Sequence, residues 1–216
     1  MKVLITLGRT VEPIDAVRYI SNHSSGKLGL ALAKAFIKKR ITARVITGVT
    51  DMAIPQNMIL ARAQTARDMK KAVLRYAEGF DIVILAAAVS DYEPAQKSSL
   101  KIPKTGHSLN LKLKATPDIA KILGTGKKRT GKPRLLVGFA LESDHLIPKA
   151  TKKLNEKSLD LIIANHIATM GSDRLFQSCI IDHSGKVFKL PRVLDKNEAA
   201  EIMAKQILNA YHTHSK

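Results

Sequence analysis

The sequence predicts an α/β protein built on a doubly wound, mainly parallel sheet. Three observations carry this. Short apolar runs at 2–7, 43–47, 82–89, 135–139 and 160–164 have the composition of strands buried on both faces. Segments between several of them space their apolar residues at helical intervals. Strand and helix alternate over most of the chain, which favours right-handed crossovers between parallel strands. With 216 residues, 45% of them hydrophobic, the chain is long enough to enclose one full core and is taken as a single domain, 1–216.

The run at 2–7 ends in Gly8-Arg9-Thr10, where a dinucleotide fold places its first glycine turn. A G-x-G-x-x-G would need glycine at 10 and 13, but Thr10 and Pro13 stand there. Residues 11–23 are too long for an ordinary strand-to-helix connection. Ser21-Asn22-His23-Ser24-Ser25-Gly26-Lys27-Leu28-Gly29 then opens a helix, with Ser24 or Ser25 as its cap and Leu28, Leu32, Ala35 and Phe36 on one face. Free amides at this start beside Lys27 suit an anion seat, although on local evidence alone the same residues favour a merely capped surface helix. A Walker loop is excluded because Ser21 replaces its first glycine and Leu28 follows the lysine.

A second strand at 43–47 ends at Gly48, a loop spans 49–64, and Thr65-Ala66-Arg67-Asp68 opens a helix turning Met69, Val73 and Tyr76 or Ala77 inward. The strand at 82–89 is central. Ala86, Ala87 and Ala88 leave little side chain at its exit, so a ligand could approach the backbone, and Asp91 adds a carboxylate at the sheet edge where ligands bind in open α/β folds. Residues 92–107 show no period; a lid carrying Lys101 and Lys104, or a solvated basic loop, both fit. Alternation at 109–114 predicts a half-exposed strand, either an edge or an arm. Pro117-Asp118 begins a short helix through Leu123, followed by a basic loop to Pro133. A helix beginning at 142–144 runs past Lys149, Lys152, Lys153 and Lys157. The sequence closes with a hairpin, 178–182 and 186–190, and a helix over 197–211.

Thirty-six basic residues against 18 acidic ones give a formal net charge of +18. Between Lys97 and Arg134 eleven Lys and Arg face one acid, Asp118. Such clustering fits an anionic partner. That segment has no Phe, Tyr or Trp for stacking on bases, which disfavours nucleic acid and favours small phosphorylated ligands. A lone cysteine, Cys179, and the absence of any apolar segment long enough for a signal or membrane span predict a soluble, cytoplasmic protein with no membrane partner. The seven histidines form no H-E-x-x-H pair and no G-x-S-x-G occurs, so zinc and serine-hydrolase chemistry are set aside. Amide, hydroxyl, lysine and carboxylate groups remain, and they suit phosphoryl or nucleotidyl transfer.

Taken together, the motifs resemble the bacterial type of phosphopantothenoylcysteine synthetase. The resemblance rests on Glu12-Pro13-Ile14-Asp15, Val17 to Lys27, Ala86-Ala87-Ala88-Val89-Ser90-Asp91-Tyr92, Lys101-Ile102-Pro103-Lys104, Thr116-Pro117-Asp118-Ile119, Val137-Gly138-Phe139-Ala140 with Glu142, and Leu159 to Asn165. It covers nearly the whole chain. It implies a Rossmann-like fold with a lid loop, a dimerisation arm at 109–114 and the C-terminal hairpin. Since no flavin-dependent decarboxylase domain precedes Met1, it also implies a free-standing synthetase.

The implied reaction joins 4'-phosphopantothenate to L-cysteine in coenzyme A biosynthesis. CTP and Mg²⁺ are required, an acyl-cytidylate forms with release of pyrophosphate, and cysteine displaces CMP. The resemblance implies Asn22 and Lys101 as catalytic. It implies Ser25, Gly26, Leu85, Ala86, Ala87, Asp91, Lys101, Pro117, Asp118, Phe139, Lys153 and Lys157 for the nucleotide. For the substrate it implies Arg18, Asn22, Ala87, Ala88, Asp91 and Lys104, for the metal Asp91, and for the assembly a homodimer. Arg9 departs from the usual Gly-Pro-Thr, Thr116 from Asn-Pro-Asp, Pro103 from Lys-Ile-Lys-Lys, and Asn165-His166-Ile167 from Asn-Asp-Val. Eukaryotic relatives use ATP, so the same reaction with ATP is one alternative. An NAD(P)-dependent reductase on the same fold is another, disfavoured by the missing glycine fingerprint.

Overall fold

A computed structural model describes residues 1–214. In chain order the elements are β1 (Lys2–Leu7), β2 (Val11–Pro13), β3 (Tyr19–Ser21), α1 (Lys27–Lys38), β4 (Thr42–Thr47), β5 (Ile59–Arg62), α2 (Ala66–Tyr76), β6 (Ile82–Leu85), β7 (Tyr92–Pro94), β8 (Leu113–Ala115), α3 (Ile119–Thr130), β9 (Leu135–Glu142), α4 (Leu146–Glu156), β10 (Leu161–His166), β11 (Arg174–Phe176), β12 (Cys179–Asp182), β13 (Val187–Lys189), β14 (Val193–Asp195) and α5 (Lys196–His214). The main sheet has the order β13-β12-β10-β9-β6-β1-β4-β5. The six strands from β10 to β5 are parallel, and the closing hairpin adds β12 and β13 antiparallel at one edge. From β1 the chain winds outward to β5, then returns to β6 on the other side and winds outward to β10. This doubly wound order reverses between β1 and β6, the switch point where such folds bind ligands.

Both faces of the sheet are covered because the apolar runs have no polar side. Val3, Ile5, Leu7, Ile82, Ile84, Leu135, Val137, Leu161 and Ile163 turn toward α1 and α5. Leu4, Val83, Leu136 and Ile162 turn the other way, onto Met69 and Val73 of α2, Ile119 and Leu123 of α3, and Ala150 and Leu154 of α4. Each large side chain so buried contributes roughly 1.5–3 kcal/mol. Helix α2 starts in a full capping box, Thr65 with Asp68, as its sequence suggests. Among the described residues no helix is long and apolar enough to cross a membrane.

Several expectations are corrected. The central strand ends at Leu85, not 89, because the alanines, weak strand formers, leave the ladder. There Ala87 N donates to Thr6 Oγ1 at 3.1 Å and Ala88 N to Gly8 O at 2.8 Å. The expected loop 49–64 contains edge strand β5, which pairs in parallel with β4. The strand expected at 109–114 is instead the short Leu113–Ala115, and its partner Tyr92–Pro94 lies in the stretch expected to lack structure. Helix α3 extends to Thr130, where Gly131 in the left-handed region ends it and Lys127, Lys128 and Arg129 face the negative end of its dipole. Helix α4 begins only at Leu146, since Glu142 still belongs to β9. The cap of α1 is neither Ser24 nor Ser25: Gly26 holds that position at φ 81°, and Ser25 Oγ accepts only a long 3.4 Å contact from Lys27 N. The small antiparallel pair β11–β14 was not legible in the sequence.

Candidate active site

At the carboxyl ends of the parallel strands, beside the switch point, lie two adjoining cavities. The larger, about 390 Å³, is floored by Leu85 of β6 and Gly138 to Ala140 of β9, and walled by Asn22, Ala87, Ala88, Asp91, Pro117, Asp118, Lys153 and Lys157. The smaller, about 210 Å³, is bounded by Ser24 to Gly29 and by Ala86, Asn165 and Lys196. Ala87, Ala88, Phe139, Ala140, Leu141 and Met170 line both. The pair therefore forms a two-lobed cleft, in which a long ligand could occupy both lobes.

Thr10 and Ser90 shape the wall between β1 and β6. Ser90 N donates to Thr10 Oγ1 at 2.9 Å, and Thr10 N donates to Ala88 O at 3.2 Å. Asn22 Nδ2 also donates to Ala88 O, at 3.2 Å. Thr116 N donates to Asp91 O at 2.9 Å, which orients the exposed Asp91 at the mouth. The two insertions that supply Asn22 and Asp91 are bolted to the start of α2 by buried acids. Glu12 Oε1 accepts from Ala66 N at 2.7 Å, and Glu93 Oε1 accepts from Arg67 Nη2 at 2.6 Å. Lys97 Nζ lies 3.1 Å from Glu93 and 3.8 Å from Glu12. The bond from Arg67, with help from Lys97, holds the Glu93 carboxyl below the usual glutamate range despite its burial.

The structure gathers Asn22, Leu85, Ala87, Ala88, Asp91, Pro117, Asp118, Phe139, Lys153 and Lys157 in the larger lobe, and Ser25, Gly26 and Ala86 in the smaller. Lys153 and Lys157 arrive paired: Lys153 Nζ is 2.6 Å from Glu142 and Lys157 Nζ 3.1 Å from Asp118. A bound anion would compete with these carboxylates. Arg18, Lys101 and Lys104 line neither lobe. Arg18 Nη1 donates to Asp15 at 2.8 Å and to Ile102 O at 3.2 Å, and Asp15 also accepts from Ile102 N at 3.1 Å. Amides led by Val17 lower the Asp15 carboxyl below its ordinary range. The loop bearing Lys101 and Lys104 is thus rooted on the first insertion, with both lysines exposed.

Sequence reasoning missed three features. Three glycines meet where the end of β1 packs on the start of α1, brought together across the insertion. Gly8 makes the turn at φ 84°, while a Cβ on Gly26 would stand 3.0 Å from Gly8 N and one on Gly29 2.6 Å from Leu7 Cβ. A tight turn and close helix–strand packing are the tasks that these glycines perform; the spacing Gly26-x-x-Gly29 was the available signal. Asn165, 5% exposed at the end of β10, lines the smaller lobe with an Oδ1 that has no partner among the described residues. A buried unpaired acceptor points to a donor on a ligand. His166 Nδ1 accepts from Ala168 N at 3.2 Å, and its Nε2 lies 3.1 Å from Ser143 O.

Residues 1–211 match the family model described as the DNA/pantothenate metabolism flavoprotein C-terminal domain. The chain is 38% identical over 215 residues to a protein named cysteine/cysteine sulfinic acid decarboxylase from an unknown prokaryotic organism, covering 98% of this chain and 59% of that protein. It is 38% identical over 204 residues to the coenzyme A biosynthesis bifunctional protein CoaBC of Borreliella burgdorferi, covering 94% and 51%. The chain therefore spans about half the length of the curated relatives it matches. It resembles the crystal structure of the C-terminal domain of a coenzyme A biosynthesis bifunctional protein CoaBC with a TM-score of 0.80 and 32% identity, over 100% of this chain and 96% of that one.

Proposed function

Because the chain belongs to the family of DNA/pantothenate metabolism flavoprotein C-terminal domains, we propose that residues 1–216 act as one phosphopantothenate–cysteine ligase driven by CTP. The carboxylate of 4'-phosphopantothenate attacks the α-phosphorus of CTP, and pyrophosphate leaves as the acyl-cytidylate forms. The amine of cysteine then attacks the acyl carbon, CMP departs, and the amine loses a proton as the amide forms. The observation that carries this reading is the two-lobed cleft at the switch point. It brings Asn22, Asp91, Phe139, and Lys153 with Lys157 from four separated segments to one cavity.

Each group has a role suited to its chemistry. Phe139 offers a ring for the base, and Lys153 and Lys157 offer ammonium charge to phosphate oxygens. The Asn22 amide can donate to or accept from the mixed anhydride without adding charge. Lys101 closes with its loop over bound nucleotide and stabilises charge growing on the α-phosphate. Mg²⁺, when bound, neutralises phosphate charge; Asp91 would hold it, with phosphates and water as the remaining oxygens, a donor set that suits this ion. Among the described residues no three His, Cys, Asp or Glu cluster as metal ligands, and Asp91 and Asp118 are carboxylates that line this lobe.

A second copy of the chain completes the proposal. Val17 at 63%, Tyr19 at 58%, Tyr92 at 57% and Leu109 at 54% exposed stand on the two insertions, an apolar surface that a homodimer would bury.

Pyrophosphate release measured with each nucleoside triphosphate, with and without phosphopantothenate and cysteine, tests the reaction. Release is expected with CTP and phosphopantothenate, and dipeptide-like amide only when cysteine is added. Release independent of phosphopantothenate refutes the ligase, and preference for ATP refutes the choice of CTP. Carbon dioxide evolved from cysteine without nucleotide would instead favour the activity named for one relative.

A further inference from the structure

The reaction proposed above gives its second nucleophile, cysteine, no partner in the protein. The smaller lobe has the groups to supply one. Asn165 lies near the end of β10 on the same face of the sheet as Leu161 and Ile163, the face covered by α1 and α5. It is 5% exposed, lines this 210 Å³ cavity, and its Oδ1 has no hydrogen-bond partner among the described residues. A buried acceptor in that state carries a desolvation cost that a donor removes.

Charge decides which donor fits. Lys27 and Lys196 line the lobe, the first amides of α1 add positive potential, and no Asp or Glu is among its described lining residues. A cation on Asn165 would therefore meet like charge without an opposing carboxylate. A fully ionised oxyanion has no hydrogen to give. An amino acid satisfies both demands at once, with its carboxylate toward the two lysines and an N–H of its amine on Oδ1. The same surroundings favour the neutral amine over the ammonium. Asn165 accepts one N–H of that amine and leaves its lone pair free for attack.

Ala87 and Ala88 line both lobes, and Asn22, the residue assigned to the mixed anhydride, donates to Ala88 O at 3.2 Å. On that assignment the acyl carbon lies at the boundary of the lobes. Pyrophosphate leaves before the amine attacks, so at that stage a small second reactant can approach the acyl carbon from the smaller lobe. We propose that the smaller lobe is the cysteine subsite and that Asn165 binds the attacking amine through its Oδ1. The proposal rests on the ligase reading. Cysteine's ammonium first gives one proton to water, and the amine nitrogen then bonds to the acyl carbon. The carbon–oxygen bond to CMP breaks with its electron pair on the phosphate oxygen, and a second amine proton passes to water as the amide forms.

Two assays separate the steps. Pyrophosphate released in a single turnover with CTP and phosphopantothenate, before cysteine is added, reads the first; amide formation against cysteine concentration reads the second. Asn165→Ala is expected to leave the first unchanged and to raise the cysteine Michaelis constant about five- to tenfold. 3-Mercaptopropionate, which keeps the carboxylate and thiol but lacks the amine, should inhibit wild type and variant with equal affinity. An unchanged cysteine constant overturns the proposal, and so does equal weakening of the analogue, the mark of a distorted lobe. A raised constant for CTP with that for cysteine untouched gives Oδ1 to the cytosine amine and refutes it too. Asn165→Ala is expected to fold, since no described donor loses a partner; if it does not, Asn165→Asp decides. Its carboxylate accepts as the amide does and stabilises the ammonium, so amide formation should slow at saturating cysteine without a rise in the cysteine constant, and a raised constant refutes the role. Wild-type protein that releases no pyrophosphate refutes the ligase reading and this proposal together, whereas release with an unchanged cysteine constant in the variant refutes this proposal alone.

Discussion

Two glycines in one helix make opposite predictions. Gly124 and Gly126 both lie inside α3, and each costs the helix about 1 kcal/mol relative to alanine. A Cβ on Gly126 would meet nothing within 4 Å, so Gly126→Ala should recover most of that energy and raise Tm by roughly 2–4 °C. A Cβ on Gly124 would stand 1.9 Å from the carbonyl oxygen of Lys157 and 3.0 Å from that of Ser158, well inside the 3.4 Å at which ordinary contact begins. Backbone cannot rotate aside as a side chain can, so Gly124→Ala incurs an overpacking penalty of about 1–3 kcal/mol against the same propensity gain. The two variants should therefore differ by about 1–3 kcal/mol in urea unfolding, with Gly124→Ala the weaker. The displaced turn carries Lys157, whose Nζ pairs with Asp118 at the head of the same helix. The Michaelis constant for nucleotide should rise in Gly124→Ala and stay at the wild-type value in Gly126→Ala. Equal midpoints for the two would refute the close contact between α3 and the Lys157 turn.

Further expectations concern the site and its supports. Lys153→Gln and Lys157→Gln should each raise the nucleotide Michaelis constant about tenfold or more while leaving that for cysteine alone, and a uniform loss in both constants would mark them as structural partners of Glu142 and Asp118. Glu93→Gln should cost about 1–3 kcal/mol at neutral pH, a range kept modest because its partner Arg67 is 59% exposed. Since the folded Glu93 pKa is depressed, this stabilisation is complete above the unfolded glutamate value of about 4.3 and disappears as pH falls through the lower folded value. A gap between wild type and variant that persists unchanged at the acid end contradicts it. Finally, mixing inactive Arg18→Ala with inactive Asn22→Asp chains should restore activity at one of two sites if Arg18 serves the neighbouring subunit. Demonstrated subunit exchange without recovery would leave Arg18 to its bonds with Asp15 and Ile102 within one chain.

What the sequence determined by itself were the features whose energy is local or periodic. Apolar runs at β1, β4, β6, β9 and β10 are buried on both faces, so they stand out without knowledge of their neighbours, and the Thr65–Asp68 box is formed by four consecutive residues. The unusual block from Glu12 to Lys27 and the alanines before Asp91 pointed to a family and to most of the cleft. Only the tertiary structure decided the rest, because its energy comes from partners distant along the chain. Strand β5 exists by pairing with β4, and β11 by pairing with β14 across 17 or more residues. Gly8 meets Gly26 only in space, with an entire hairpin looped out between them. Lysines that the resemblance gave to the nucleotide prove to be paired with Glu142 and Asp118, since a carboxylate within reach is a fact of folding, not of spacing. Asn165 stands inside a motif, yet what singles it out is burial without a matching partner, and burial is assigned only when β10 and the start of α1 close around the same cavity.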